Sequence, residues 1–402
     1  MMNVTHKSRH ASSALIHSFM FRAALLVTLF IFGAMPLPAA AQAPVNFEKD
    51  WAELITAAKK EGTLVFSIGA LPDYQSVLDA FTRKYEIRIQ TDGGSGSARA
   101  TRVMAEFKAG KRALDIGSFS AASTTRRLGP AGALAEIPPI LIHPDVLDLS
   151  KWYGGRHWYL DAGDTKTVFN YSVRANSSWT FWYNTEKLSN ADVASLKSPS
   201  DFLDPKWRGK MVDQSWGDPG RLGGMLETYF APDAGPDWVR KYLTEMNVAF
   251  TSDPRLEETW LMRGRNPLSW DEGDIGDALR KLRGVMPIKQ VFLPRQQGVL
   301  DARSSECCIV VFKEAPHPNA AKLFLNWFLT KEGQTFVHDI KPSRRYTSLR
   351  EDVPPLNTIE SARREPGRDY TFRDFDPNYL SKEDEARDFI VKAYQDGQAQ
   401  KR

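Results

Sequence analysis

Residues 63–118 read TLVFSIGALPDYQSVLDAFTRKYEIRIQTDGGSGSARATRVMAEFKAGKRALDIGS, and this stretch decides the fold. Thr63–Ser67 is a short apolar run that reads as a strand, and Ile68 to Pro72 is a loop. Tyr74 to Tyr85 then places Val77, Leu78 and Phe81 on one face at helical spacing. Ile87 to Gln90 returns as a strand, and Asp92 to Ser97 is a Gly/Ser loop. Thr101 to Ala109 carries Val103, Met104 and Phe107 on one helical face, Gly110 stops it, and Leu114 to Ser118 is the next strand. Strand, helix, strand, helix, strand predicts a parallel sheet with right-handed crossovers.

Upstream, Asn46 to Lys60 is an amphipathic helix with Phe47, Trp51, Leu54, Ile55 and Ala58 on its apolar stripe and Gly62 after it. Further upstream, Lys7, Arg9 and Arg22 precede the apolar run Ala23 to Ala34, Pro36 and Pro38 break it, and Ala39-Ala40-Ala41 offers small residues. That is the grammar of a secretory signal peptide cleaved near Ala41. The run is too short to span a bilayer, which needs about 20 apolar residues. Both Met1 and Met20 stand as candidate starts. The expected destination is the periplasm, and no cysteine near the cleavage site offers a lipid anchor.

Downstream the texture changes. Tyr153 to Tyr183 is rich in aromatics, and Phe169 to Val173 and Ser178 to Tyr183 look extended, as connections between two lobes. Met211-Val212 enters a strand, and helices are expected over Leu222 to Phe230, Pro236 to Met246 and Asp274 to Arg283. Pro267 to Trp270, Val291 to Pro294 and Ile309 to Phe312 read as strands, and Pro318 to Leu329 as a helix. A polar tail ends in a helix over Lys382 to Tyr394.

These landmarks resemble the type II periplasmic solute-binding proteins of ABC importers (extracellular solute-binding family 1-like), in the group of iron(III)-, thiamine- and phosphonate-binding receptors. Trp51 to Gly62, Phe81 to Tyr85 and Glu106 to Lys111 resemble that group's first three helices. Trp182 to Thr185 resembles its crossover, and Asp201 to Lys210 the start of its second lobe. Ala320 to Phe328, with Glu332-Gly333-Gln334 after it, resembles its return into the first lobe. The resemblance implies an α/β fold of two lobes, each a mainly parallel sheet with helices on both faces, joined by two hinge crossovers. It implies a signal peptide over 1–41, a first lobe over 42–173, a second over 184–287, a return segment over 291–350 and a C-terminal extension over 351–402 that packs on the surface. It also implies a ligand between the lobes and delivery to a membrane permease.

In such a sheet the ligand crevice lies outside the carboxyl ends of the strands. In the first lobe this selects Ser67 and Gly69, then Gly94, Ser95, Ser97 and Arg99, then Ser118 and Phe119. The Gly/Ser loop opens a helix, whose free N–H groups favour an anion; its ordinary alternative is a turn with a serine cap. In the second lobe Asp218 and Arg221 precede a helix, and Arg221 suits a carboxylate or phosphonate. Asp271 and Glu272 follow a strand and suit an amine, or else cap a helix. Trp179, Tyr183 and Phe119 offer a wall for an apolar or cationic group, or else pack the core and hinge.

The 402 residues are 42% hydrophobic and 25% charged with a net charge of +4, which is ordinary for a globular chain. No basic tract is long enough to read as a nucleic-acid surface. There is no G-x-S-x-G elbow, no H-E-x-x-H and no Walker loop, so an enzyme is not expected, nor a cofactor. The chain has no Tyr-Tyr pair of the kind that the resemblance links to ferric receptors, so no metal site is expected. The two cysteines, Cys307 and Cys308, are expected as reduced thiols in a buried strand, because a ring between adjacent residues is strained. The expected protein is a monomeric periplasmic receptor for a small anionic or zwitterionic solute, with an ABC permease as partner. The alternatives are a ferric receptor of the same fold and a ligand-sensing subunit for a membrane kinase.

Overall fold

The computed structural model describes residues 46–401 except 70, 95, 161–164, 218–221, 271–285, 303–306, 340–345, 356 and 359–361. The segment before residue 46 and the helix expected over Asp274 to Arg283 lie outside the described residues. In chain order the main elements begin with α1 (Phe47–Glu61), β1 (Thr63–Ser67), α2 (Leu71–Tyr85), β2 (Arg88–Asp92), α3 (Gly96–Lys108) and β3 (Ile116–Phe119). Next come β4 (Trp158–Tyr159), β5 (Phe169–Asn170), β6 (Ser172–Asn184), β7 (Met211–Gln214), α4 (Gly223–Phe230), α5 (Gly235–Thr244) and β8 (Ala249–Thr251). Then follow α6 (Pro254–Met262), β9 (Leu268–Ser269), β10 (Ile288–Asp301), β11 (Cys308–Val311), α7 (Pro318–Leu329) and α8 (Lys331–His338). The chain closes with β12 (Thr347–Ser348), β13 (Tyr370–Phe372) and α9 (Pro377–Ala399).

Two sheets divide the molecule. The first runs β2-β1-β3-β11-β5-β4, and the second β13-β10-β6-β9-β7-β8 with β12 against β6. The predicted parallel unit is present, since β1 pairs in parallel with β2 (Thr63 opposite Arg88) and β3 (Phe66 opposite Ile116). β7 likewise pairs in parallel with β8 and β9. The expectation of mainly parallel sheets needs one correction. β11, β5 and β4 join the first sheet antiparallel, and β6 joins β9 and β10 antiparallel. β5 leads directly into β6 and β11 follows β10, so these strands adjoin the segments that pass between the lobes.

Each sheet buries its own core. Phe66, Phe81, Phe119, Ile309 and Phe324 belong to one cluster, and Phe181, Trp207, Leu226, Tyr242 and Leu268 to another. Strand β6 gives Val173 and Ala175 to the first cluster and Trp179, Phe181 and Tyr183 to the second. β10 runs back, with Leu293 in the second cluster and Leu300 in the first. The two strands pair antiparallel along most of their length, with a register shift between Pro294 and Val299. They are the two crossovers. Val291 and Leu293, placed by the sequence in the return segment, thus pack with the second lobe.

Charged side chains pin the first lobe. Glu61 at the end of α1 accepts from the Asn319 and Ala320 N–H groups that open α7, at 3.1 and 2.8 Å. A carboxylate suits a helix N-terminus, where unpaired N–H groups gather. Buried Asp115 accepts from Val65 N–H at 2.7 Å and His317 N–H at 2.7 Å, tying β1 to the start of α7. The C-terminal extension goes beyond the surface packing expected of it: Phe372 joins the first core, and Ala386, Ile390 and Ala393 of α9 join the second.

Candidate functional site

Because β1, β2 and β3 are parallel, their carboxyl ends share one edge of the first sheet. Ser67, Asp92 and Phe119 end the three strands there. Arg99, in the first turns of α3, lies beneath that edge at 1% exposure. Its Nη1 donates to Ser67 Oγ at 3.0 Å, its Nε to Gly94 O at 3.2 Å and its Nη2 to Ser118 O at 3.0 Å. One guanidinium thus joins the ends of all three strands, a use that suits its fixed fork of donors. The same group lies 4.4 Å from the Phe119 ring centroid.

The neighbouring polar groups extend this arrangement. Ser67 Oγ donates to Asp92 Oδ2 at 3.0 Å, and Asp92 also pairs with Arg102 of α3. Ser118 Oγ and the Tyr171 hydroxyl lie 3.1 Å apart, and Tyr171 meets the Tyr74 hydroxyl at 3.0 Å. Gly94 is exposed and adopts φ 117°, a backbone state that residues with a Cβ rarely take. The edge therefore presents a turn of exposed backbone above a buried positive charge, a setting that favours an anion.

The structure brings together Ser67, Gly94, Arg99, Ser118 and Phe119, with Gly69 exposed beside Ser67. It places Trp179 and Tyr183 elsewhere, in the second core. The Trp179 indole donates to Asp233 at 2.9 Å and packs 5.3 Å from Trp270, and Tyr183 pairs with Leu268. Their bulk goes to packing the second lobe, as does that of Phe119 to the first. Ser95, Asp218, Arg221, Asp271 and Glu272 lie outside the described residues, and nothing is described of the Ser97 side chain. Tyr74, Asp92, Arg102 and Tyr171 were not singled out in the sequence. Asp92 and Arg102 sit next to the chosen Gly/Ser loop, whereas nothing local marks Tyr171, which reaches Ser118 across a chain separation of 53 residues.

Cys307 and Cys308 correct the expectation of reduced thiols: the structure joins them in a disulfide. Both are buried, as expected. Cys308 begins β11 opposite Phe119 and Asn170, while Cys307 precedes the strand and its carbonyl accepts from Tyr171 N–H at 3.1 Å. Cys307 Sγ lies 3.7 Å from Phe119 O, so the disulfide borders the same edge as Arg99.

In the second lobe β7 ends above a buried acid. Asp213 accepts from Trp216 Nε1 at 3.2 Å and the Tyr242 hydroxyl at 3.0 Å. Burial, then the nearby Glu257 carboxylate, pushes its pKa well above the usual carboxylate range. Among the described residues no group of three or more His, Cys, Asp and Glu is placed to hold a metal ion. No described helix is long and apolar enough to cross a membrane.

No family model matches the chain, and no curated protein does. Solved structures do. The chain is similar to iron-bound HitA from Pseudomonas aeruginosa, with TM-score 0.52 and 18% identity over 82% of this chain and 99% of that one. It is similar to IdiA (FutA) of Trichodesmium in complex with iron and citrate, with TM-score 0.55 and 16% identity over 83% of this chain and 99% of that one. It is also similar to the periplasmic binding protein AfuA from Actinobacillus pleuropneumoniae with fructose-6-phosphate bound, with TM-score 0.50 and 16% identity over 84% of this chain and 98% of that one. Two sheets with separate cores, two antiparallel crossovers and these likenesses together show that the chain has the two-lobed type II periplasmic binding fold.

Proposed function

We propose that this chain is the exported substrate-binding protein of an ABC importer, holding a small anionic or zwitterionic solute between its lobes and delivering it to the permease. The observation that carries the reading is Arg99, buried under the three strand ends that face the crevice in this fold. A phosphorylated or carboxylated metabolite suits that edge, with its anionic end toward the Gly94 turn. The N-terminal grammar supports export by a cleaved signal peptide and free diffusion in the periplasm. The protein acts as a monomer and returns its ligand unchanged.

Ferric iron is the second reading, because two of the similar structures hold iron. Against it, Tyr74 and Tyr171 are buried and their hydroxyls bond one another. A hard cation needs several converging oxygen ligands. A thermal-shift screen of the chain from Gln42 onward separates the readings, using sugar phosphates, phosphonates, amino acids, carboxylates and Fe(III). A ligand at about 100 times its Kd adds about 2.7 kcal/mol, a shift of several degrees. Stabilisation by an organic anion supports the proposal. Stabilisation by Fe(III) alone overturns the ligand class, and loss of gene induction without loss of uptake on deletion would favour the sensing role.

A further inference from the structure

One carboxylate sits at the meeting point of both crossovers. Glu227 of α4, with its side chain 4% exposed, accepts from Arg174 Nη2 of β6 at 3.1 Å and from Arg295 Nη1 of β10 at 2.9 Å. Asn176 of β6 donates to both of its oxygens, at 3.1 and 3.0 Å. The fourth donor comes from the C-terminal extension: Arg373 Nη1 lies 3.0 Å from Glu227, and its Nη2 lies 2.6 Å from Asp301 at the end of β10. Arg373 follows β13, which pairs in parallel with β10 at Gly298 to Leu300, just past the register shift. A cavity of about 150 Å³ lined by Glu227, Arg295, Thr371, Arg373 and Tyr379 lies at this junction, and the ion pairs of Arg373 hold the extension beside it.

The extension then reaches across the lobes. Helix α9 is seated on the second lobe, with Phe389 against Tyr229, Tyr394 against Phe250, and Ile390 in the core. From that seat Glu383 lies 3.3 Å from Arg126, in the turn Thr124–Leu128 whose Leu128 belongs to the first core. The pair therefore bridges the two lobes. Lobe rotation about β6 and β10 changes the separation of Arg126 and Glu383, and it bends the strand segments that Arg373 clamps.

We propose that the segment Tyr370–Ala399 is a hinge strap. It clamps both crossovers through Arg373, Glu227 and Asp301, and it latches the lobes through Glu383 and Arg126, so that it sets how freely the ligand-free protein opens. A clamp at the pivot limits bending of the crossovers, while a latch far from the pivot limits the angle. The two contacts act on one equilibrium, which in turn sets the fraction competent to bind.

The test needs no ligand, so its failure is distinguishable from failure of the transport reading. Spin labels on Thr56→Cys of α1 and Lys241→Cys of α5 report the separation of the lobes by pulsed electron resonance, because the native cysteines are joined to each other. The strap predicts a narrow distance distribution in the otherwise native protein, a broader one for Arg373→Gln and an intermediate one for Arg373→Lys. Arg126→Ala alters a side chain that is 55% exposed, so folding is not at issue, and it too broadens the distribution. A folded Arg373→Gln protein with the native distribution overturns the clamp. An unchanged distribution in Arg126→Ala overturns the latch, whatever the state of the Arg373 variants.

Discussion

Arg99 holds the ends of three strands with one buried guanidinium, and its role follows from depth. At 1% exposure it fixes the strand ends and the Gly94 turn and supplies charge beneath them. Arg99→Met keeps the bulk and removes three donors, leaving Gly94 O and Ser118 O without that partner. The loss should be about 1.5–3 kcal/mol in urea unfolding, the range for hydrogen bonds to a charged group. Asp213 behaves in the opposite way from a paired surface acid. Its folded pKa is raised, so the stability it contributes is present below its unfolded pKa and is lost as pH rises through the folded value. Asp213→Asn should therefore flatten the fall in melting temperature over that window and leave the protein more stable than wild type above it. Of these residues, the sequence pointed to Ser67, Gly94, Arg99 and Ser118 because they end or follow predicted strands. It could not show that Arg99 lies below the edge, because depth depends on how α3 rests on the sheet.

At the scale of elements, α9 is attached by close approach. A Cβ on Gly397 would collide with the Leu243 carbonyl of α5. Gly397→Ala should cost about 1–3 kcal/mol by overpacking, read as a lower melting temperature in a calorimetric scan. The Cys307–Cys308 disulfide sits at the start of strand β11, beside Phe119. Non-reducing mass spectrometry of the protein should give a mass lower by the two thiol hydrogens, restored by a reductant, and full reactivity toward maleimide without reductant would contradict it. The first lobe's elements were legible in order because each has its own periodicity: Thr63–Ser67 and Pro318–Leu329 match the structure end to end. Strand β10 was not. The residues Arg295, Gln296 and Gln297 interrupt its apolar pattern, because at that point the strand crosses between lobes and meets Glu227 and Asp233 rather than a core.

At the scale of the whole molecule, two cores are joined by two strands and bound together by the C-terminal segment. Burial alone would raise the pKa of Glu227, but Arg373, Arg295 and Arg174 outweigh it and hold the carboxyl far below its usual range. The stability it contributes is present above the unfolded carboxylate pKa and is lost as pH falls through the depressed folded value. Glu227→Gln should cost about 3–5 kcal/mol at neutral pH, as expected when one partner of a buried pair is removed. The same variant should then lose less than wild type on acidification, followed by circular dichroism. The alternation of elements made an α/β sheet legible in the first lobe, and the resemblance supplied the two lobes and the crossovers. The hinge network was not, since Arg174, Glu227, Arg295 and Arg373 are scattered along the chain and meet only when the crossovers pair.

The most direct test of the account is calorimetric titration of the chain from Gln42 onward with sugar phosphates, phosphonates, amino acids, carboxylates and Fe(III), with mass analysis of the ligand recovered afterwards. The account predicts one-site binding of an organic anion or zwitterion that is recovered unchanged, weakened in Arg99→Met. Binding of Fe(III) alone, or recovery of a chemically altered ligand, would contradict it.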